Sequence, residues 1–261
     1  MTQNLPAKSP ISVLRAIVNS DSVQAQFKNA LKDKSGLFTA SLIDLYTSDT
    51  YLQGCEPKAV VMEALKAATL NLPINKNLGY SWVIPYKNKG VLVPQFQIGY
   101  KGYIQLAIRT GQYKYINADM LYEGEVIDFD KISGKMTVTG TPENKNVIGY
   151  FAYIETINGF KKALYWTKDL MTAHGKRYSK SWGKQSSPWV TEFDKMALKT
   201  MLRSLLSKYG IMTIEMSRAF ESDSDDMQYD QHEHEAAVEA NAEVIDTKPL
   251  NKKQEKEKPG F

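Results

Sequence analysis

The chain has 261 residues, 43% apolar and 24% charged, with one cysteine, three histidines, fifteen tyrosines and four tryptophans. That is enough apolar chain for a sizeable core in one domain with appendages, and the lone Cys55 excludes an internal disulfide or a thiolate metal cluster. No apolar run reaches the roughly 18 residues of a membrane helix, and the first residues lack a basic-then-apolar leader, so a cytoplasmic protein with no membrane partner is expected.

The net charge of +4 conceals a division. Residues 1–220 carry 28 Lys and Arg against 17 Asp and Glu, whereas residues 221–261 carry 5 against 12. From Glu221 to Thr247 there are ten carboxylates and no lysine or arginine. A basic body suits a polyanionic partner, and the acidic stretch reads as a disordered tail, solubilising or partner-binding. The expected divisions are a helical region over 1–54, a core over 55–220 and the tail over 221–261, with a chain ending near Phe220 still able to fold.

The elements follow from periodicity. Ile11, Leu14, Ile17 and Val18 share one helical face, and Val23, Phe27 and Leu31 form another after an Asn-Ser-Asp break. Gly36 is expected to end that region. A second helix is expected over residues 41–52, and a third opens at Pro57 and runs through Val60, Val61, Ala64, Leu65, Ala68 and Leu72 before Pro73. Then the runs shorten. SWVIPY and VLVPQFQI flank KNKG as a hairpin, and GYKGYIQLAIRTGQ reads as a glycine-rich turn opening a short helix that ends at Gly111. MLYEGEVIDF, KMTVTG, NVIGYFAYIETI and FKKALYW complete an antiparallel sheet, with Asn158-Gly159 as a two-residue turn. Thr167 caps a helix around DLMTAH, and Ser187-Pro188 opens a long helix ending near Tyr209-Gly210. The fold class expected is α+β, with helices on one face of a largely antiparallel sheet.

Enzymatic constellations fail one by one. Gly175-Lys176 is followed by Arg177 and preceded by Leu170 where a phosphate loop needs glycine, and the spacing of Gly99 and Gly102 does not fit a dinucleotide fingerprint. DFDKISGK resembles a calcium loop, but Thr139 stands where the bidentate glutamate belongs, so a hairpin turn is expected. His232 and His234 lie in the acidic stretch, and His174 stands among lysines with no nucleophile beside it.

The basic residues, by contrast, are organised. In HGKRYSKSWGKQ, Lys176, Arg177, Lys180 and Lys184 alternate with Tyr178 and Trp182, the composition of a groove in which cations track phosphates and rings stack bases. In the next helix Lys195, Lys199 and Arg203 recur every fourth residue and fall within about 80° of arc. Such a stripe meets an anion or is simply a solvated face.

At these residues a family resemblance emerges. PINKNLGYSWVIPY, VPQFQIGYKGYIQLAIRTGQY and SPWVTEFDKMALKTMLR, in that order over roughly residues 55–215, resemble the RecT family of phage and prophage single-strand annealing proteins, within the RecT/Redβ superfamily. The resemblance implies ATP-independent annealing of complementary DNA strands in phage homologous recombination, with neither nucleotide nor Mg²⁺ required. It further implies an α+β core similar in outline to the Rad52 annealing domain, assembly into rings or helical filaments, and partnership with a phage exonuclease and a host single-strand-binding protein. The chain's own partners would be single-stranded DNA and the annealed duplex intermediate. The residues expected to contact DNA are Lys101, Tyr103, Arg109, Lys114, Lys176, Arg177, Lys180, Trp182, Lys184, Lys195, Lys199 and Arg203, with the backbone at Gly99 and Gly102 approaching phosphates. For Tyr103, stacking on bases and burial in the core both remain open. The contrasting class is a Mg²⁺-dependent nuclease or other DNA-processing enzyme, with Glu123, Glu125, Asp128 and Asp130 as its carboxylates.

Overall fold

A computed structural model describes residues 9–130 and 132–223. Most of the stretch read as an acidic tail, including His232 and His234, lies outside the described residues.

Four α-helices open the described residues: α1 (Pro10–Val18), α2 (Asp21–Leu31), α3 (Ser35–Ser48) and α4 (Pro57–Thr69). Gly36 lies inside α3 instead of ending a helix, because a 3-10 turn over Lys32–Lys34 already makes the bend. The Ser9 hydroxyl caps α1 by accepting from the Ser12 amide, and Pro57 occupies the first turn of α4. Leu14, Val18, Phe27, Leu42 and Tyr46 are fully buried around Val60, Ala64, Ala67 and Ala68 of α4. Small residues on α4 let the preceding helices approach closely. The segment before residue 55 therefore shares one apolar core with the segment after it.

The strand β1 (Ser81–Asn88) turns through Lys89 and Gly90, both at positive φ, into β2 (Val91–Ile98). Two such residues between paired strands form the turn whose twist matches a hairpin, as KNKG implied. β2 turns Phe96 and Ile98 inward, and the Phe96 amide donates to Glu63 of α4 at 2.8 Å. The helix α5 (Tyr100–Arg109) follows directly.

The remaining strands form two separate pieces. β3 (Tyr113–Tyr122), β6 (Val147–Thr156) and β7 (Lys161–Thr167) make an antiparallel sheet in the order β3-β6-β7, while β4 (Glu125–Asp130) and β5 (Lys135–Gly140) form a hairpin. The run MLYEGEVIDF is divided at Gly124, whose φ of 93° only glycine adopts readily. DFDKISGK is a hairpin turn, with Asp130 accepting from the Ile132 amide and the Ser133 hydroxyl. Thr167 caps α6 (Lys168–Tyr178) as expected.

The long helix opened by Ser187-Pro188 is broken at Glu192 (φ −142°, ψ 45°) into α7 (Pro188–Thr191) and α8 (Phe193–Tyr209). α8 packs across the sheet face that carries Tyr150, Ala152, Ile154 and Leu164, and ten consecutive residues of it, Ala197 to Leu206, are buried. The Tyr150 hydroxyl donates to Asp194 at 2.6 Å and the Tyr113 hydroxyl accepts from the Ile211 amide at 2.6 Å, tying both ends of α8 to the sheet. A further helix, α9 (Ile214–Ser222), was not legible from periodicity. The class is α+β, with antiparallel strands packed by helices.

The glycines of GYKGY are explained by packing. A methyl on Gly102 would collide with the Tyr80 carbonyl and come within 2.8 Å of Ile98, and one on Gly99 would strike the Trp82 ring. The Gly99 amide donates to the Tyr80 carbonyl at 2.9 Å, so it is already engaged and does not point at a ligand. We predict that Gly102→Ala lowers stability by about 1–3 kcal/mol, the usual cost of overpacking, measured by urea denaturation; unchanged stability would relocate the reason for this glycine to the DNA surface.

Candidate nucleic-acid interface

The basic loop after α6 is built on aromatic anchors. Gly175 leaves room for the Trp182 ring, which would overlap any side chain there, and Trp182 packs 5.7 Å from Trp189 and 6.4 Å from Phe193. The hydroxyls of Ser179, Ser181 and Ser187 link the two ends of the loop at 3.1 and 2.9 Å. Trp182 is thus half-buried and holds the loop against the start of α8. On this support Lys176, Arg177, Lys180 and Lys184 are exposed, with the Arg177 guanidinium 5.4 Å from the Tyr178 ring centre. Lys195 joins them from the first turns of α8, paired at 2.7 Å with Glu192, but both groups are largely in water and the pair holds weakly.

Lys114 lies at the far end of the sheet. It donates to Glu155 at 3.0 Å, Tyr153 donates to the same carboxylate at 3.0 Å, and Lys161 stands 3.4 Å away. The Lys114 hydrogen bond holds Glu155 below the ordinary carboxylate range, and Lys114 is raised in turn by the same bond. Burial, reinforced by Glu155, pushes the Tyr153 phenol up to about 12. Glu155, a residue the sequence reading did not single out, therefore offsets much of the charge that two lysines would present.

The GYKGY helix divides its basic residues. Lys101 is exposed, with its stem against Gly79. Arg109 donates to the Leu70 and Asn71 carbonyls, each at 2.8 Å, covering the C-terminal end of α4 where Asn71 turns into the left-handed region (φ 49°). Arg109, expected to contact DNA, is exposed as Lys101 is, and in this structure its guanidinium closes a helix end.

The stripe on α8 is also redistributed. Lys195 is at the surface, but Lys199 and Arg203 are buried and converge with Tyr103 on the carboxylate of Asp223, immediately after α9. Arg203 lies 3.0 Å and Lys199 3.2 Å from Oδ2, the Tyr103 hydroxyl donates to Oδ2 at 2.8 Å, and the Ile98 amide donates to Oδ1 at 3.1 Å. Of the two readings of Tyr103, burial is the one observed: it is fully enclosed and stacked on Phe220 at 5.4 Å. A four-residue spacing places cations on one face but does not say whether that face meets solvent. Asp223 lies three residues beyond the boundary drawn at Phe220, so the body includes α9 and this carboxylate.

Three of the four carboxylates considered for a metal have other partners. Glu123 accepts from the Asn144 side chain, Glu125 from the Tyr122 amide and Asp130 within its turn, and among the described residues no three acidic, histidine or cysteine side chains converge as a metal site would require.

Comparison with known proteins places this architecture. The family model described as RecT family matches residues 36–244. The chain belongs to the RecT family. Similar relatives include an uncharacterized protein, YqaK, of Bacillus subtilis (strain 168), 42% identical over 258 residues, covering 98% of this chain and 87% of the relative. Protein RecT of Escherichia coli (strain K12) is 27% identical over 230 residues, covering 84% and 82%. Membership in the RecT family carries a general role in DNA recombination and annealing, with single-strand binding and self-assembly as general family traits. The matched span reaches beyond residues 55–215 on both sides.

Two outcomes are expected. A chain ending at Phe220 leaves Lys199 and Arg203 buried without Asp223 and should lose about 3–5 kcal/mol, whereas a chain ending at Asp226 should melt with the full protein. Arg109→Ala should cost about 1–3 kcal/mol in chemical denaturation while leaving the salt dependence of DNA binding unaltered; a shallower salt dependence would restore Arg109 to the DNA surface.

Proposed function

We propose that this chain anneals complementary DNA single strands without nucleotide, Mg²⁺ or covalent chemistry, working as an oligomeric ring or helical filament in phage recombination. The observation that carries the reading is the junction of the 179–187 loop with α8, where Lys176, Arg177, Lys180, Lys184 and Lys195 are exposed on a scaffold of packed rings. Phosphates neutralised along such a surface leave bases presented for pairing, and repetition along an assembly multiplies the affinity of one modest site. Lys101 is a candidate for extending the path at a second place in the fold. Tyr178, under Arg177, is better placed than Trp182 to meet a base, since Trp182 is occupied in holding the loop. A phage exonuclease that exposes strands and a host single-strand-binding protein are the partners such an activity calls for, in the cytoplasm of a bacterial host.

Annealing should proceed without ATP and leave both strands intact. Complementary strands added one after the other should give a complex more resistant to salt than the same strands added as a duplex, because a closed duplex hides the bases the groove presents. Equal resistance in both orders would reduce the protein to a duplex-binding surface, and cleavage in Mg²⁺ would move it to the nuclease class.

Replacing Lys180 and Lys184 with glutamate should weaken single-strand binding for every sequence and flatten the slope of log affinity against log salt by about 0.7 per lost contact. Folding should be unaffected, since both side chains are exposed; an unchanged slope would remove this loop from the binding surface.

A further inference from the structure

Arg109 stands between two crevices. On one side, Leu31 and Phe38 of the opening helices, Leu72 and Ile74 after α4, and Tyr80 line a groove of about 390 Å³, with Lys34 among its walls. On the other, Leu106, Thr110, Thr213 and Glu215 line a second of about 420 Å³. Asn71 and Arg109 belong to both, so the two crevices adjoin.

Large apolar side chains stand out around this shared wall. Leu37, at the groove, is 74% exposed, and Ile214, between Thr213 and Glu215 of the second crevice, is 70% exposed. Ile108, next to Arg109, is exposed as well. A single exposed apolar residue is ordinary, but several around an apolar groove form the kind of patch that marks a contact. The charges match: Lys34 at the groove and Glu215 beside Ile214 are both exposed.

A projecting isoleucine with a carboxylate beside it and an apolar recess with a lysine at its edge are two halves of one contact. Within one chain they flank Arg109, and Ile214 remains in water. Where a projection and its recess lie on opposite sides of a protomer, copies add head to tail; where they adjoin, the same face of a second copy, turned about a two-fold axis, supplies both at once. We propose that this face joins two copies of the chain about a two-fold axis, Ile214 of each copy entering the other's groove beside Leu37, and Glu215 of each meeting the other's Lys34. Arg109 lies nearest the axis with its guanidinium held to the Leu70 and Asn71 carbonyls, and the two glutamates offset the repulsion between the two arginines. Such a pair closes on itself. It is therefore a different contact from the repeating one that a ring or filament needs, and it uses none of the lysines of the 179–187 loop.

The test uses the full chain without DNA. Sedimentation of the parent protein should show a dimer in reversible exchange with monomer. Lys34→Glu or Glu215→Lys alone should weaken that dimer about tenfold, and the two together should restore it to within about threefold, because the exchanged charges again meet across the axis. Melting temperatures should not change, since both side chains are exposed. Disulfide capture then reads the geometry. A Leu37→Cys protein mixed with an Ile214→Cys protein should oxidise to the mixed dimer in preference to either homodimer, and the double variant Leu37→Cys, Ile214→Cys should stop at dimers carrying two cross-links. A ladder of longer cross-linked species overturns the two-fold arrangement in favour of a head-to-tail one. A parent chain that sediments as a monomer, a charge exchange that restores nothing, or cross-links formed only within single chains overturns the interface. No DNA takes part, so annealing can succeed or fail without bearing on either result.

Discussion

Two buried cations on one helix must be neutralised for α8 to occupy the middle of the fold. Lys199 and Arg203 could not be enclosed without a counter-charge, and Asp223 supplies it from a distant part of the sequence while also accepting from β2 and α5. Breaking such an arrangement by removing one partner is far more damaging than its net contribution to stability suggests, because the remaining charges keep their desolvation cost. The hairpin β1–β2, the GYKGY helix, α8 and α9 are fixed relative to one another by this carboxylate.

The remaining charges are distributed on a different principle. Lys176, Arg177, Lys180, Lys184 and Lys195 stay in water at a loop whose rigidity comes from Trp182, Trp189 and Phe193, so the rings spend their area on the scaffold and the cations remain at the surface. Lys114 and Lys161 share Glu155 at the opposite end of the sheet. Basic residues among the described part of the chain therefore serve as counter-ions in the core, as helix caps and as surface charge.

Much of this was legible in sequence where the signal is local. Thr167 as a cap, Lys89-Gly90 as a turn and the end of α8 at Tyr209 all follow from short-range chemistry and appear in the structure, whereas Asn158-Gly159 lies within a longer connection over residues 157–160 in which only Gly159 takes a positive φ, not the two-residue turn expected. Gly36 misled because a glycine inside a helix costs only about 1 kcal/mol and tertiary packing overrides it. The inward direction of Lys199 and Arg203 was hidden because the compensating Asp223 lies 20 residues beyond Arg203 in a stretch whose composition reads as solvated tail. Arg109 was similarly opaque: its partners are backbone carbonyls 38 and 39 residues away, and a carbonyl leaves no mark on sequence.

The wedge of Trp182 over Gly175 has an optical consequence. The chain has four tryptophans, and two of them, Trp182 and Trp189, sit in the aromatic cluster beneath the exposed lysines, whereas Trp166 lies against His174 and Trp82 beside Gly99. Two of the four indoles thus sit where this loop meets α7 and α8, so the native chain carries intrinsic fluorophores there and needs no dye.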